Sequence, residues 1–163
     1  SHDYGVLKVL LPYLNDSDVA RLAREALAKG RGIGIFLPFM DEKSVDELAQ
    51  SAFENGGIGA ITSYLPFMSD DKVDGMLAIA SRRGDSIASL LPFASDSAID
   101  ACADEYAAQG RDAAILLPFM SDDKVLRLAR LACKRDGTGA LKKYLPFLRD
   151  DGIRQLMKEF VEE

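Results

Sequence analysis

The 163 residues suffice for one domain with a hydrophobic core or for a short series of repeats. The net charge of −6 argues against a nucleic-acid backbone as partner, because Lys and Arg carry most of the affinity for phosphates. No apolar run approaches the roughly 20 residues that span a bilayer, so we do not expect a membrane as partner. Together with the net charge, this means that we expect neither a nucleic acid nor a membrane.

The most regular feature of the sequence is a leucine followed by a proline and an aromatic residue. The prolines lie at positions 12, 38, 66, 92, 118 and 146, so the spacings are 26, 28, 26, 26 and 28 residues. The aromatic residues that follow them are Tyr13, Phe39, Phe67, Phe93, Phe119 and Phe147. A fixed period of this length is typical of tandem repeats, in which each repeat is one supersecondary element.

Alignment on this motif divides the chain into repeats. In chain order it predicts a half-repeat at 3–14, full repeats at 15–40, 41–68, 69–94, 95–120 and 121–148, and a capping helix at 149–163. We expect them to form a single domain. Beginning and ending within a repeat favours a fragment of a longer protein.

Each full repeat is predicted to open with an α-helix of about fifteen residues. The polar N-caps are Asn15, Asp41, Ser69, Ser95 and Ser121. Acids follow each cap, where they face the positive end of the helix dipole. Apolar residues then recur at i, i+3, i+4 and i+7, as in Val73, Met76, Leu77 and Ala80. The predicted stops are Gly30, Gly56, Gly84 and Gly110, with the stop shifted to Asp136–Gly137 in the fifth repeat.

A second, shorter α-helix of about eight residues is predicted before each Leu-Pro, because proline blocks continuation of a helix. Its apolar pair begins at Ile33, Ile61, Ile87, Ala113 or Leu141 and ends at the leucine of the motif. In an alternative, some prolines lie in a last distorted turn. The two 28-residue repeats are expected to place both extra residues in this second segment.

Neither helix of a repeat can bury its apolar face alone, and a helix of about eight residues is unstable in water. Stacking the repeats solves both problems. The sequence therefore predicts an all-α fold, an α-solenoid of tandem 26–28-residue two-helix repeats with about twelve helices in total.

The motif resembles the short helix-turn-helix repeats with an LPF(M/L)SD signature found in uncharacterised bacterial proteins. It occurs here as YLPFMSDDKV at 64–73 and as LLPFMSDDKV at 116–125. More loosely the chain is similar to tetratricopeptide and HEAT solenoids, although its period is shorter and the tetratricopeptide Trp-Leu-Gly-Tyr pattern is absent. The resemblance implies a scaffold or partner-binding role without catalytic residues.

Two repeated features could bind a ligand but have structural explanations. The aromatic residues after the prolines could form a stacking ladder, yet we interpret them as apolar wedges packed in the core, together with Met40, Met68 and Met120. The acidic pairs are Asp70–Asp71, Asp122–Asp123 and Asp150–Asp151. A calcium site needs about six oxygen ligands, so helix capping explains these pairs better.

The inventory of reactive side chains predicts no enzyme. Cys102 and Cys133 align with core positions, and His2 cannot join them or a serine in a catalytic constellation. We expect no catalytic residue, no metal and no cofactor. Two unpaired cysteines favour a reducing compartment, and we predict the cytoplasm.

One column of the alignment suggests a binding surface. Three residues before each proline lie Val9, Ile35, Ser63, Ser89, Ile115 and Lys143. On the short helix they would point away from the apolar pair, although most are small or apolar. Crowding inside a curved stack and a groove for a peptide or partner helix explain this equally well.

Two functions follow from these patterns. The leading hypothesis is a non-enzymatic module that binds a protein or peptide through this column and is a monomer. The alternative is a structural spacer or sensor arm of a larger protein, with no ligand of its own.

Overall fold

The computed structural model describes residues 4–161, and every regular element in that range is helical. The α-helices are α1 (Tyr4–Leu10), α2 (Asp16–Ala28), α3 (Glu42–Gly56), α4 (Asp70–Arg83), α5 (Asp96–Ala108), α6 (Asp122–Asp136) and α7 (Asp150–Phe160). The 3₁₀ segments are Leu11–Tyr13, Leu37–Phe39, Ile58–Ile61, Leu65–Phe67, Leu91–Phe93, Ala114–Phe119, Thr138–Lys143 and Leu145–Phe147. The prediction of an all-α chain is confirmed.

The chain divides into two compact bodies. The N-terminal body extends to Met76 and the C-terminal body begins at Leu77, so that the boundary falls inside α4. Of the predicted terminal elements, Asp3 of the half-repeat and the last two residues of the capping helix lie outside the described range.

The predicted N-caps form because a side-chain oxygen accepts from a backbone N–H that has no partner within the helix. Asn15 Oδ1 accepts from Asp18 N–H at 2.8 Å, and Asp41 Oδ2 accepts from Ser44 N–H at 3.0 Å. The hydroxyls of Ser69, Ser95 and Ser121 accept from the N–H three residues later at 3.3, 3.2 and 3.4 Å. The helix α7 follows Arg149 instead and has no side-chain cap.

Five glycines at positive φ follow α2 to α6, namely Gly30, Gly57, Gly84, Gly110 and Gly137. The stop predicted at Gly56 is wrong, because Gly56 is the last residue of α3 and Gly57 adopts the left-handed conformation at φ 66°. From cap to glycine, Asp41–Gly57 and Ser121–Gly137 are one residue longer than Asn15–Gly30. The 28-residue repeats thus have one extra residue before the glycine and one after it.

The short α-helix predicted before each Leu-Pro is present only in the half-repeat, as α1. In the full repeats it is replaced by turns and 3₁₀ segments, so the described range has seven α-helices instead of about twelve. After Gly30, residues 31–33 precede the first turn, which leaves too few residues before Pro38 for an α-helix. Consecutive i→i+3 bonds form instead, from Phe36 N–H to Ile33 O and from Phe39 N–H to Phe36 O, both at 2.9 Å.

The proline itself lies inside a 3₁₀ turn in each repeat, as in the alternative that the sequence left open. In five of the six motifs the proline is the second residue of a three-residue turn, where no donor is needed and its missing N–H costs nothing. Pro118 is the exception, because it lies inside the longer segment Ala114–Phe119. The leucine before the proline is buried in five of the six motifs, and Leu145 is the exposed exception.

The core contains most of the predicted helix faces. Val19, Val45, Val73, Ile99 and Val125 begin these faces and are all buried. Leu22 and Leu128 are only half-buried. In the second segments Ile33, Ile61 and Ile87 are buried, whereas Ala113 and Leu141 are half-buried. Cys102 and Cys133 are buried, as their alignment with core positions predicts.

Within each body, side chains join one repeat to the next. In the N-terminal body, Asp46 of α3 accepts from the hydroxyl of Ser69 and, at 2.9 Å, from its N–H. In the C-terminal body, Asp100 of α5 accepts from the Ser121 hydroxyl at 3.0 Å. The serine that caps one helix is therefore held by an acid of the preceding helix.

Candidate partner-binding surface

The predicted column lies on the surface of both bodies. Val9 is in α1, Ile35, Ser63 and Ser89 are in the turns before the Leu-Pro motif, and Ile115 and Lys143 are in 3₁₀ segments. Ile35 is half-buried, and the other five are exposed. Val9 is 68% exposed and Ile115 is 47% exposed, which are large values for β-branched apolar side chains.

The prolines extend this surface. All six are exposed, while the leucine before each one turns inward except in the last repeat. In a 3₁₀ helix, residues i and i+3 eclipse each other because there are three residues per turn. In the segment Ala114–Phe119, Ile115 and Pro118 therefore share one side, and both are exposed. In each body, we call the predicted column residues together with the prolines of that body its turn surface.

The aromatic residues after the prolines are not core wedges, and this prediction is wrong. Tyr13, Phe39 and Phe93 are exposed, and Phe67, Phe119 and Phe147 are half-buried. A three-residue turn with its leucine inside must carry the next two residues outward. The backbone then becomes extended and returns Met68, Met120 and Leu148 to the core, whereas Met40 is only half-buried.

Each of these aromatic residues is followed three positions later by an acid in the first turn of a helix. The pairs are Tyr13/Asp16, Phe39/Glu42, Phe67/Asp70, Phe93/Asp96, Phe119/Asp122 and Phe147/Asp150. Five of the acids are exposed and Asp122 is half-buried. The three-residue spacing between ring and acid is present in every motif of the sequence. The prediction that the rings pack in the core gave this spacing no role. We call these six pairs the aromatic–acid pairs.

Lys143 differs from the rest of the predicted column because a carboxylate already engages it. Its Nζ lies 2.5 Å from Asp112 Oδ1 and 6.0 Å from the ring centre of Tyr144. The hydrogen bond from Lys143 lowers the pKa of Asp112. Lys143 therefore contributes a neutralised pair rather than a free cation to the turn surface.

A separate apolar groove of about 550 Å³ lies between α1 and α2 in the N-terminal body. Leu7 and Leu10 line it from one side and Leu22 and Ala26 from the other. The guanidinium of Arg31 lies 5.9 Å from the ring centre of Tyr4 at its edge. None of the six predicted column residues lines this groove.

Both cysteines, Cys102 and Cys133, are free thiols and are buried. Cys102 is buried and its Sγ donates to Ser81 Oγ at 3.3 Å, while burial raises the pKa of the thiol. A buried, protonated thiol is a poor nucleophile. His2 lies outside the described residues. Residues 4–161 contain no cluster of three or more His, Cys, Asp or Glu side chains that could hold a metal ion.

Among residues 4–161, no helix has both the length and the apolarity needed to cross a bilayer. No family model, curated protein or solved structure matches the chain. The resemblance to short helix-turn-helix repeats therefore stays a prediction.

Proposed function

We propose that the chain is a non-enzymatic helical-repeat module of the α-solenoid type that binds a protein or peptide through the turn surface. The single observation that carries the proposal is the exposure of apolar side chains at one register of the repeat, in the N-terminal body at Val9 and in the C-terminal body at Ile115. A monomeric chain and a cytoplasmic location belong to the same proposal.

The position of these side chains, three residues before a proline, is the reason that their exposure supports a binding surface. Single exposed apolar residues are normal on a protein surface and need no explanation. Here Val9 in one body and Ile115 in the other are exposed at the same register, three residues before a proline that is itself exposed. The column is completed by the half-buried Ile35, two serines and Lys143, so the exposed apolar side chain occurs in two of the six motifs. Burying apolar area against a partner contributes about 25 cal/mol per Å², which gives such a surface a physical reason to bind.

The local architecture supports a repeat module. The order of capped helix, positive-φ glycine and 3₁₀ turn recurs in each full repeat. The Asp46–Ser69 and Asp100–Ser121 bonds link neighbouring repeats inside each body. Such nearest-neighbour coupling is the physical basis of solenoid proteins, which commonly present extended binding surfaces.

The test is affinity capture with a variant that introduces charge on the turn surface and with a matched control variant. Val9→Glu combined with Ile115→Glu places one charge on the turn surface of each body, and we avoid Ile35 because it is half-buried. The matched control combines Leu27→Glu and Leu131→Glu, because these leucines are 42% and 55% exposed but lie outside the turn surface. We expect the protein or peptide retained by the wild type to be retained by the control and lost from the test variant.

Two results would contradict the proposal. Equal retention by both variants would mean that binding does not use the turn surface. Absence of any partner on a folded wild-type chain would instead favour the spacer or sensor arm with no ligand of its own.

A further inference from the structure

The first and the last α-helix of the described range correspond to the two complementary halves of a repeat. Helix α7 corresponds to the α-helix that opens a repeat, and α1 with the turn Leu11–Tyr13 corresponds to the segment that closes one. We infer that α7 of one copy of the chain docks in the groove between α1 and α2 of a second copy. The contact joins the C-terminal body of one copy to the N-terminal body of the other, and the inference rests on the repeat architecture of the proposed function.

Helix α7 exposes an apolar face at positions that are buried in the other helices. Ile153, Met157 and Phe160 follow one another at i, i+4 and i+7, on one side of the helix, and all three are exposed, Met157 by 51%. We call these three side chains the α7 face. Counted from the N-cap, Ile153 corresponds to Val19, Val45, Val73, Ile99 and Val125, and Met157 corresponds to Ala23, Ala49, Leu77, Ala103 and Ala129. All ten corresponding residues are buried, so only α7 leaves this side of the helix uncovered.

The groove between α1 and α2 is open at a position that is also covered in the full repeats. Leu10 lies two residues before Pro12 and is 49% exposed. The residues two before the other prolines are the buried Phe36, Tyr64, Leu90 and Leu116 and the half-buried Tyr144. In a full repeat the segment before the proline packs against the helix that precedes it, as Ile58–Ile61 does against α3 and Thr138–Lys143 does against α6. No helix precedes α1 within residues 4–161, and Leu10 faces the groove instead.

The two exposed regions fit each other as a helix fits a groove. Amphipathic helices bind apolar grooves through side chains spaced like those of the α7 face. The groove of about 550 Å³ offers aliphatic side chains from both walls, Leu7 and Leu10 from one and Leu22 and Ala26 from the other. The flexible side chain of Met157 suits an irregular surface of this kind. A docked α7 would take the place that the first helix has in a full repeat.

Chain connectivity in the full repeats predicts the direction of the docked helix. In the 28-residue repeats a single residue, Gly57 or Gly137, separates the first helix from the 3₁₀ segment that follows it. The C-terminal end of a docked α7 would therefore lie near the start of α1 at Tyr4. The guanidinium of Arg31 lies 5.9 Å from the ring centre of Tyr4, so this direction brings the end of α7 close to a cation.

The charges around the groove are complementary to that end of α7. Lys29 and Arg31 line the groove and form no ion pair among residues 4–161, whereas the carboxylate of the groove, Glu25, is paired with Arg21. A helix C-terminus carries partial negative charge, and two glutamates follow α7 in the sequence. Lys158 in the last turn of α7 has the same sign as the groove, but it lies at least about 100° around the helix from each residue of the α7 face.

The contact is small, which is compatible with the monomeric chain of the proposed function. Stable protein interfaces bury about 1,200–2,000 Å² in total, and one helix of 11 residues in a groove lies at the low end of this range or below it. We therefore expect the chain to be a monomer when dilute and to associate as its concentration rises.

The test is sedimentation equilibrium of the full chain over about a hundredfold range of concentration. Met157→Glu places a charge on the α7 face, and Leu10→Glu places one in the groove. The matched controls are Leu131→Glu in the C-terminal body and Leu27→Glu in the N-terminal body, because both leucines are exposed and lie outside the α7 face and the groove. Circular dichroism verifies that all four variants fold.

We expect the average mass of the wild type to rise with concentration. Met157→Glu and Leu10→Glu should each weaken the association at least about tenfold, because each buries an unpaired charge in an apolar contact. The controls should each change it less than about twofold, since an exposed charge elsewhere acts only through a screened, long-range effect. Mixing the two defective variants should restore association, because one keeps an intact groove and the other an intact α7 face.

Any of four results would overturn the inference. The wild type could stay monomeric over the whole range, or the mixture of the two defective variants could fail to associate. Undiminished association of Leu10→Glu alone would mean that two α7 faces pair with each other, and that of Met157→Glu alone would mean that two grooves do. If the wild type stays monomeric while partner capture still depends on Val9 and Ile115, this inference fails and the proposed function stands.

Discussion

In the capped helix α3, Val45 and Ala49 repeat a pattern found in the other helices, and both are buried. In the segment before it, Leu37, Pro38 and Phe39 also repeat a pattern, but only the leucine is buried. The helices and the connecting segments are equally periodic, yet periodicity has a different cause in each. In the helices the periodicity reflects packing in the core. In the connecting segments packing explains only the leucine of each Leu-Pro-aromatic motif.

The largest expected effect is the difference in the free energy of unfolding between substitutions of two side chains in one turn. Leu11 is buried and Tyr13 is exposed on either side of Pro12. Leu11→Ala should lower the free energy of unfolding by about 2–5 kcal/mol, because it removes buried methyl groups and leaves a cavity. Tyr13→Ala should change it by about 0.5 kcal/mol or less, as is usual at exposed positions. Urea unfolding measures both, and equal losses would mean that the whole turn packs as a wedge.

The difference between helices and segments also limits what the sequence could predict. Caps and helix faces were predictable, because a cap bonds to its own first turn and a helix face follows a 3.6-residue period. The connecting segments were not, since three residues without regular structure follow Gly30, Gly84 and Gly110, whereas a 3₁₀ segment begins directly after Gly57 and Gly137, and no periodic pattern encodes this difference. Adjacent Gly56 and Gly57 are both compatible with a helix stop, and only the longer α3 selects the second.

The candidate surface was predicted in part for the same reason. Counting back from each proline found the exposed Val9 and Ile115. For Ile115 the reason is that three residues are one turn of a 3₁₀ helix, whereas Val9 lies in the α-helix α1. The pairing of Lys143 with Asp112 joins residues 31 positions apart and has no local signal. The aromatic residues were misassigned because a repeated apolar residue usually packs, and only their exposure in the folded chain separates the two explanations.

A smaller effect is expected where a connecting segment meets the next helix. Ser69 accepts from Lys72 N–H and donates to Asp46 of the preceding repeat, whereas Asn15 caps only its own helix. Ser69→Ala should lower the free energy of unfolding by about 1–2 kcal/mol through loss of the cap and the bond to Asp46. In a background with Asp46→Ala the same change should cost about 1 kcal/mol less, which a double-mutant cycle measures.

The control for that cycle is Asn15→Ala. It should cost about 1 kcal/mol as a simple cap, and this cost should be the same with and without Asp46→Ala. A cycle in which Ser69 and Asp46 act independently would mean that their hydrogen bond does not stabilise the contact between α3 and α4.

The smallest expected effects are those of two glycine substitutions, one inside α4 and one directly after it. Gly75 lies inside α4, and an added Cβ would meet no atom within 4 Å. Gly84 follows the same helix at φ +80°, also with open space around it. Gly75→Ala should raise the free energy of unfolding by about 0.5–1 kcal/mol, because alanine has less freedom to lose in a helix. Gly84→Ala should lower it by about 1 kcal/mol, because an L side chain is strained at positive φ.

Because neither new methyl group meets a neighbour, packing contributes to neither result, and the opposite signs would come from backbone conformation alone. Urea midpoints at constant m-value measure both changes. If both substitutions stabilised the chain, Gly84 would be only a flexible link, and the sharp end of the helix would have to come from the segment that follows. If the two changes in the free energy of unfolding differ in sign, the conformation of Gly84 determines where α4 ends and where the exposed turns can begin.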